Sequence, residues 1–269
     1  MDHPRFVDPR IAKGRARSIS DATSQFTFLR VFDGAIKRVS KQWRPRMSGR
    51  KAFRYMERVL KPELDKHLVT FPLIRLGEMT LYCGLFEQRG ATGGLDFFFL
   101  VCSSAARPED GLMYRIEVSQ HAMQRIIQRT GRTGEDEVRT RLYTAMANIY
   151  WLQPWIYREK WLQLGLACEE GVFVGEVRDD CYSIKTFIPA IDNGRPSRWR
   201  DLHADLWPRI QQRVPRDKTY EADQSSIGDW YFFADGLTRR HPFLLKPYVP
   251  GHDYQDAAWA SRPVDSGNI

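Results

Sequence analysis

Apolar residues recur three and four positions apart in two early stretches. Leu29, Phe32, Ile36, Val39 and Trp43 do so after Phe26, with Arg30, Lys37, Arg38 and Lys41 off the stripe, as in an amphipathic helix with a basic wet face. Pro45 and Gly49 break the pattern. Phe53, Met56, Leu60 and Leu64 resume it behind Ser48, a candidate N-cap. Residues 1–20 mix Pro, Gly, Arg and Ser without a period and read as a mobile basic arm; residues 21–70 then form a basic helical region.

Beyond Phe71-Pro72 the period shortens. EMTLYCGLFEQ and LDFFFLVCSS are β-rich runs joined by RGATGG, whose glycines supply the positive φ that a hairpin turn needs. YRIEVS reads as a strand running directly into the helix HAMQRIIQRTG, with Ser119 as N-cap and Gly131 as the stop. A further helix carries Val138, Leu142, Ala145 and Ile149 on its apolar side, and the stretch with Trp155 and Trp161 has no clear period. GVFVGEV and CYSIKTFIPA form a second hairpin turning at Arg178-Asp179-Asp180. Near the end come a helix at about Asp201 to Arg213, an aromatic β-like run from Trp230 to Phe233 and a proline-broken tail.

Charge divides the chain unevenly. The net is +8 over 269 residues. Residues 1–66 hold 17 Lys or Arg against 7 Asp or Glu, a net of +10, so the remainder is close to neutral. A local excess of this kind attracts a polyanion with a steep salt dependence, or else simply solvates one face. Arg30, Lys37, Arg38 and Lys41 are the candidate nucleic-acid contacts. The longest apolar run is far short of the ~18 residues of a membrane span, and the N-terminus has no apolar core of a signal peptide, so the expectation is a soluble chain made in the cytosol. Cys83, Cys102, Cys168 and Cys181 have neither disulfide nor zinc spacing. No set of His, Asp or Glu has metal-ligand spacing and no phosphate-loop motif occurs, so neither a metal nor a cofactor is expected.

The candidate chemistry lies in the helix after Ser119. His121, Arg125 and Arg129 stand at i, i+4 and i+8 and share one face, while Ala122, Met123, Ile126 and Ile127 lie off it. In the first helical turn the macrodipole disfavours an imidazolium and attracts an anion, leaving His121 able to accept a proton. Guanidiniums hold non-bridging phosphate oxygens in a fixed fork and stabilise a pentacovalent phosphorane. A solvated helix face has the same composition, and spacing leaves both readings open. Alternation in CYSIKTFIP sends Lys185 and Thr186 to opposite faces of their strand unless a bulge intervenes.

IEVSQHAMQRIIQRTG, with VFVGEVRDDCYSIKTFIP about 50 residues later, resembles a family of small bacterial domains of unknown function. Their pattern is an extended run ending in Ser/Thr-x-His-Ala, a helix with Arg at fourth-residue spacing, and a later hairpin ending in Lys-Thr. Those domains are similar to the ribonuclease-like toxin superfamily of barnase, EndoU and RelE, and the likeness covers residues 112–190. It implies an α+β fold, an antiparallel sheet with helices packed on one side, within residues 71–269 and preceded by the basic helical layer. It also implies His121 as general base or acid, Arg125 and Arg129 as phosphate contacts, and Lys185 and Thr186 as strand-borne site residues. RNA would then be the substrate, cleaved without a metal through attack of its 2′-OH, with Tyr182, His203 or His241 as candidate second acid. A toxin or effector of this kind, delivered to a target cell without a signal peptide, would have an immunity protein as partner. Two rivals stand beside this: a non-catalytic nucleic-acid-binding or adaptor protein using the N-terminal helices, and an effector acting on a host protein.

Overall fold

The computed structural model describes residues 6–23, 28–44, 47, 49–70, 73–76, 78–178, 181–191, 197–212, 220–221 and 224–248. Among them are the strands β1 (Val69–Thr70), β2 (Ile74–Leu76), β3 (Met79–Arg89), β4 (Leu95–Ser103), β5 (Leu112–Val118), β6 (Gln163–Cys168), β7 (Gly171–Val177), β8 (Tyr182–Pro189) and β9 (Tyr220–Glu221). The helices are α1 (Pro9–Ala22), α2 (Phe28–Ser40), α3 (Gly49–Tyr55), α4 (Lys61–Leu64), α5 (Gln120–Thr130), α6 (Glu135–Met146), α7 (Asn148–Arg158), α8 (Arg198–Ile210), α9 (Gln224–Asp235) and α10 (Leu237–Arg240), with a π-helical turn at Met56–Leu60 between α3 and α4. The strands join in one sheet, in the order β6-β7-β8-β5-β4-β3-β2-β9, with β1 also on β3. All pairings are antiparallel except β5 with β8 and β2 with β9.

The α+β class follows from the way β3 and β4 are written. Both are apolar at successive positions, so both faces of their hairpin need cover. Phe97 and Phe99 on one face join Ile116, Val118 and the buried residues of α5, α6 and α7. Leu100 and Cys102 on the other join Tyr82, Phe86, Ile36, Val39, Tyr55, Met56 and Leu60. Each such side chain contributes about 1.5–3 kcal/mol when fully buried. At the far edge, a Cβ on Gly165 of β6 would lie 2.6 Å from Leu202 and 3.1 Å from Trp199, so α8 rests directly on that backbone. Helices therefore cover both faces of the sheet: those within residues 71–269 pack on the first face, as expected, and α2 to α4 on the second, because the central strands bury side chains on both.

Three expectations change. Residues 1–20 do not form a mobile arm over their length: Pro9–Ala22 is helical, capped by Asp8, whose carboxylate accepts from the Arg10 amide at 2.7 Å. Its buried stripe of Ala12, Ala16, Ile19 and Ser20 is small enough to let α1 lie close against α5, and Ser20 donates to the carbonyl of Gly94 at 2.8 Å. The aromatic run Trp230–Phe233 is helical, within α9; Trp230 is buried and donates from Nε1 to the Trp151 carbonyl at 3.1 Å, whereas Phe232 is exposed. Finally, β6 is a strand where no period was visible. The Ser48 cap and the turn at Asp179-Asp180 lie outside the described residues.

The first hairpin is formed as expected, with Gly93 at φ 79° and the Gly90 amide donating to the Gly94 carbonyl at 2.9 Å. Its turn sits beneath the start of α5: a Cβ on Gly94 would fall 2.1 Å from the carbonyl oxygen of Val118. No helix among the described residues is long and apolar enough to cross a membrane.

Candidate functional site

The junction between β5 and α5 is built by short-range chemistry. Ser119 leaves the strand in extended conformation, its hydroxyl accepts from the Ala122 amide at 3.1 Å, and Gly131 ends the helix at φ 73°. The same hydroxyl donates to the Lys185 carbonyl at 3.1 Å, and the Ser119 amide donates to the Ile184 carbonyl at 3.0 Å. Helix α5 thus continues beside β8 where β5 stops. Its last turn is tied to the same strand by the Arg129 guanidinium, which donates to the Phe187 carbonyl. On the opposite flank α1 closes in, with the Val7 amide on the Gln128 carbonyl at 3.2 Å and Gln124 Nε2 on the Pro9 carbonyl at 3.3 Å.

Between these flanks the expected stripe is partly assembled. His121 is exposed and Arg125 half-buried. Arg125 Nε donates to His121 Nε2 at 3.2 Å, and its NH1 donates to Gln128 Oε1 at 2.9 Å. A ring nitrogen that accepts from a guanidinium uses its lone pair, so this bond is one that a neutral imidazole makes. Arg129 belongs to the stripe by position, but its guanidinium serves the helix-to-strand clamp.

The strand-borne pair is not brought to the stripe. Gly175 pairs with Ile184 and Val174 with Thr186, leaving Lys185 as the extra residue of a β-bulge. Lys185 Nζ lies 3.2 Å from Glu176. Thr186 is 6% exposed, which withdraws its hydroxyl from any surface substrate. Lys185 ends a charge ladder across the sheet face: Arg115 contacts Asp96 at 3.2 Å and Glu117 at 2.8 Å, Arg178 contacts Glu117 at 3.9 Å and Glu176 at 2.6 Å, and Glu176 reaches Lys185. Burial raises the Glu176 carboxyl, but hydrogen bonds from Arg178 and Lys185 outweigh it and hold the group below the ordinary carboxylate range.

The candidates for a second proton donor lie elsewhere. His203 is buried with Nε2 2.8 Å from the Cys168 carbonyl, and His241 Nε2 is 2.9 Å from Asp205. Tyr182 pairs with Ile116 of β5, its ring 6.4 Å from that of Tyr114, and burial, then the neighbouring Tyr114, push its phenol far above the usual range.

In the N-terminal helices, Arg30, Lys37, Arg38 and Lys41 are all exposed. Lys37 is paired with Asp33 at 2.6 Å and Arg38 with Glu63 at 2.6 Å, so part of the expected positive field is neutralised locally.

Sequence reasoning missed a cavity beside β5. It has about 670 Å³ of space and lies at the N-terminal end of β5, lined from β5, the end of α7, the connection to β6 and the β7–β8 turn region. Its cations come from three separate segments, and no local spacing announces them. Comparison with family models, with curated proteins and with solved structures finds no match for this chain.

Proposed function

We propose that the protein is a metal-independent endoribonuclease whose reactive group is His121. The observation that carries this reading is the hydrogen bond from Arg125 Nε to His121 Nε2, 3.2 Å long on an exposed helix face. It supports a neutral imidazole beside a permanent cation, in the first turn of a helix whose macrodipole favours an incoming phosphate. On this reading Arg125 moves its guanidinium from the ring to the phosphate as RNA binds. His121 then takes the proton of a ribose 2′-OH, and the 2′-oxygen attacks the adjacent phosphorus. The bond from phosphorus to the 5′-oxygen breaks, leaving a 2′,3′-cyclic phosphate. Because Tyr182, His203 and His241 are engaged elsewhere, the departing 5′-oxygen takes its proton from water.

The burial of Tyr182 and the bonds of His203 and His241 to Cys168 and Asp205 also favour a second reading, in which the His121–Arg125 face and the cations of α2 bind RNA without cutting it. Incubating wild-type protein and His121→Ala with total RNA in EDTA separates the two. Fragments ending in 2′,3′-cyclic phosphate with the wild type alone support cleavage at His121. Intact RNA with both proteins, together with binding that weakens steeply with salt, overturns cleavage in favour of the binding reading.

A further inference from the structure

The 670 Å³ cavity at the N-terminal end of β5 falls within the size range of small-molecule sites. Arg115, Arg158, Lys160 and Arg178 line it, and no carboxylate is among its described lining residues. The acids that balance the three guanidiniums are Asp96 and Glu117 for Arg115, Glu117 and Glu176 for Arg178, and Glu159 and Asp235 for Arg158. None of these acids belongs to the described lining, so the wall itself presents cations.

Further observations give this wall a ligand chemistry. Arg115 Nε and Trp161 Nε1 are buried donors with no hydrogen-bond partner among the described residues, and both residues line the cavity. A buried N–H without an acceptor is costly, and both stand behind the polar wall of the cavity rather than on its surface. Lys160 is exposed, makes no ion pair with a described residue, and is the one non-glycine residue among those described with a positive φ, 55°. That φ is the left-handed position that ends α7, where the Trp161 amide donates to the Ile156 carbonyl at 3.0 Å and fixes the backbone that carries the ammonium. Aromatic surface completes the lining: the rings of Tyr114 and Tyr182 stand 6.4 Å apart at 40°, Trp161 is buried beside them in the wall, and Tyr157 is exposed.

We propose that this cavity binds a nucleoside phosphate, with the phosphate oxygens on Arg115, Lys160 and Arg178 and the base against the tyrosine and tryptophan rings. Guanidiniums and an ammonium answer the phosphate, and flat apolar rings answer the base. The site is independent of the ribonuclease reading. It takes Met113, Tyr114 and Arg115 from β5, whereas His121 follows the strand's end at Val118, three residues or about 10 Å of strand beyond Arg115.

The test is titration calorimetry on the full chain with ATP, GTP, CTP and UTP in turn, and with inorganic tripolyphosphate and adenosine as the separated halves. At least one nucleotide is expected to bind roughly tenfold more tightly than either half. Lys160→Gly suits the backbone at φ 55° and removes the side chain that carries the ammonium. It should weaken that nucleotide about tenfold, as should Arg178→Gln, while His121→Ala leaves it unchanged. The proposal is overturned if none of the four nucleotides binds at millimolar concentration, if tripolyphosphate binds as tightly as every nucleotide, or if Lys160→Gly and Arg178→Gln both bind like the wild type.

Discussion

Replacing Ser119 tests whether the candidate site is held by a helix cap alone or by a cap that is also a strand clamp. The Ser119 hydroxyl accepts from the Ala122 amide and donates to the Lys185 carbonyl, both at 3.1 Å. Ser119→Ala removes both. Loss of an N-cap costs about 1 kcal/mol, and loss of a half-buried neutral hydrogen bond costs about another 1 kcal/mol, so the expected destabilisation is about 2 kcal/mol. With a denaturant slope of about 3 kcal/mol/M in urea, the midpoint falls by roughly 0.7 M.

Ser119→Asp separates the two roles. A carboxylate caps a helix as well as a hydroxyl does, but it cannot donate, and it would face the Lys185 carbonyl oxygen. Cap-only reasoning makes Asp equivalent to Ser; the clamp makes it about as damaging as Ala, while Ser119→Thr keeps both bonds. Urea denaturation of the three variants, with hydrogen exchange at the Ala122 and Met123 amides, measures the difference. A Ser119→Asp protein as stable as the wild type would refute the clamp, and with it the view that β8 fixes where His121 stands.

Two further outcomes follow from side chains that finish the sheet edge. Asn148 is fully buried; its amide donates to the Ala167 carbonyl at 3.2 Å and its oxygen accepts from the Ala167 amide at 2.8 Å, replacing the strand that β6 lacks. Asn148→Ala orphans both groups and should cost about 3 kcal/mol; a loss below about 1 kcal/mol in the same denaturation assay would mean that water or another group replaces the amide. Burial holds the His203 imidazole below its ordinary pKa, against the raising effect of its bond to the Cys168 carbonyl. The unfolded chain therefore takes up this proton first: the His203 contribution is whole above about pH 6.5 and declines as pH falls below it. Accordingly, the gap in urea midpoint between wild type and His203→Gln should narrow between pH 7.5 and pH 5, and a gap constant with pH would count against it.

What could be read from the chain was what neighbouring residues decide together. The hairpin turn with Gly93, the Ser119 cap and the Gly131 stop each rest on a few adjacent positions, and each stands where the sequence put it. Helix α1 escaped because its buried stripe is Ala12, Ala16 and Ile19 amid several cations; its hydrophobic signal is weak, and its order depends on α5 and the Gly94 turn. Helix α9 escaped for the opposite reason. Trp230 and Ala234, at i and i+4, are buried, but an exposed aromatic at Phe232 between them hides that period. Strand β6 is QLGLAC, with little β-propensity of its own, and it is completed by Asn148, Gln163 and His203 bonding to backbone groups.

Lys185 shows why the site was harder to read than the fold. Alternation assigns faces only along an unbroken ladder, and β8 is broken at Lys185. The residue that permits the break is on the neighbouring strand: a Cβ on Gly175 would lie 2.0 Å from the Ser183 carbonyl oxygen. No reading of CYSIKTFIP by itself can find it, because the steric freedom that turns Lys185 toward Glu176 is written in β7. The same holds for the cavity, whose cations come from β5, the α7–β6 connection and the end of β7. Sites that depend on pairing between strands become legible only once register is known, and that is why a local motif pointed to His121 while the cavity beside β5 left no mark in the sequence.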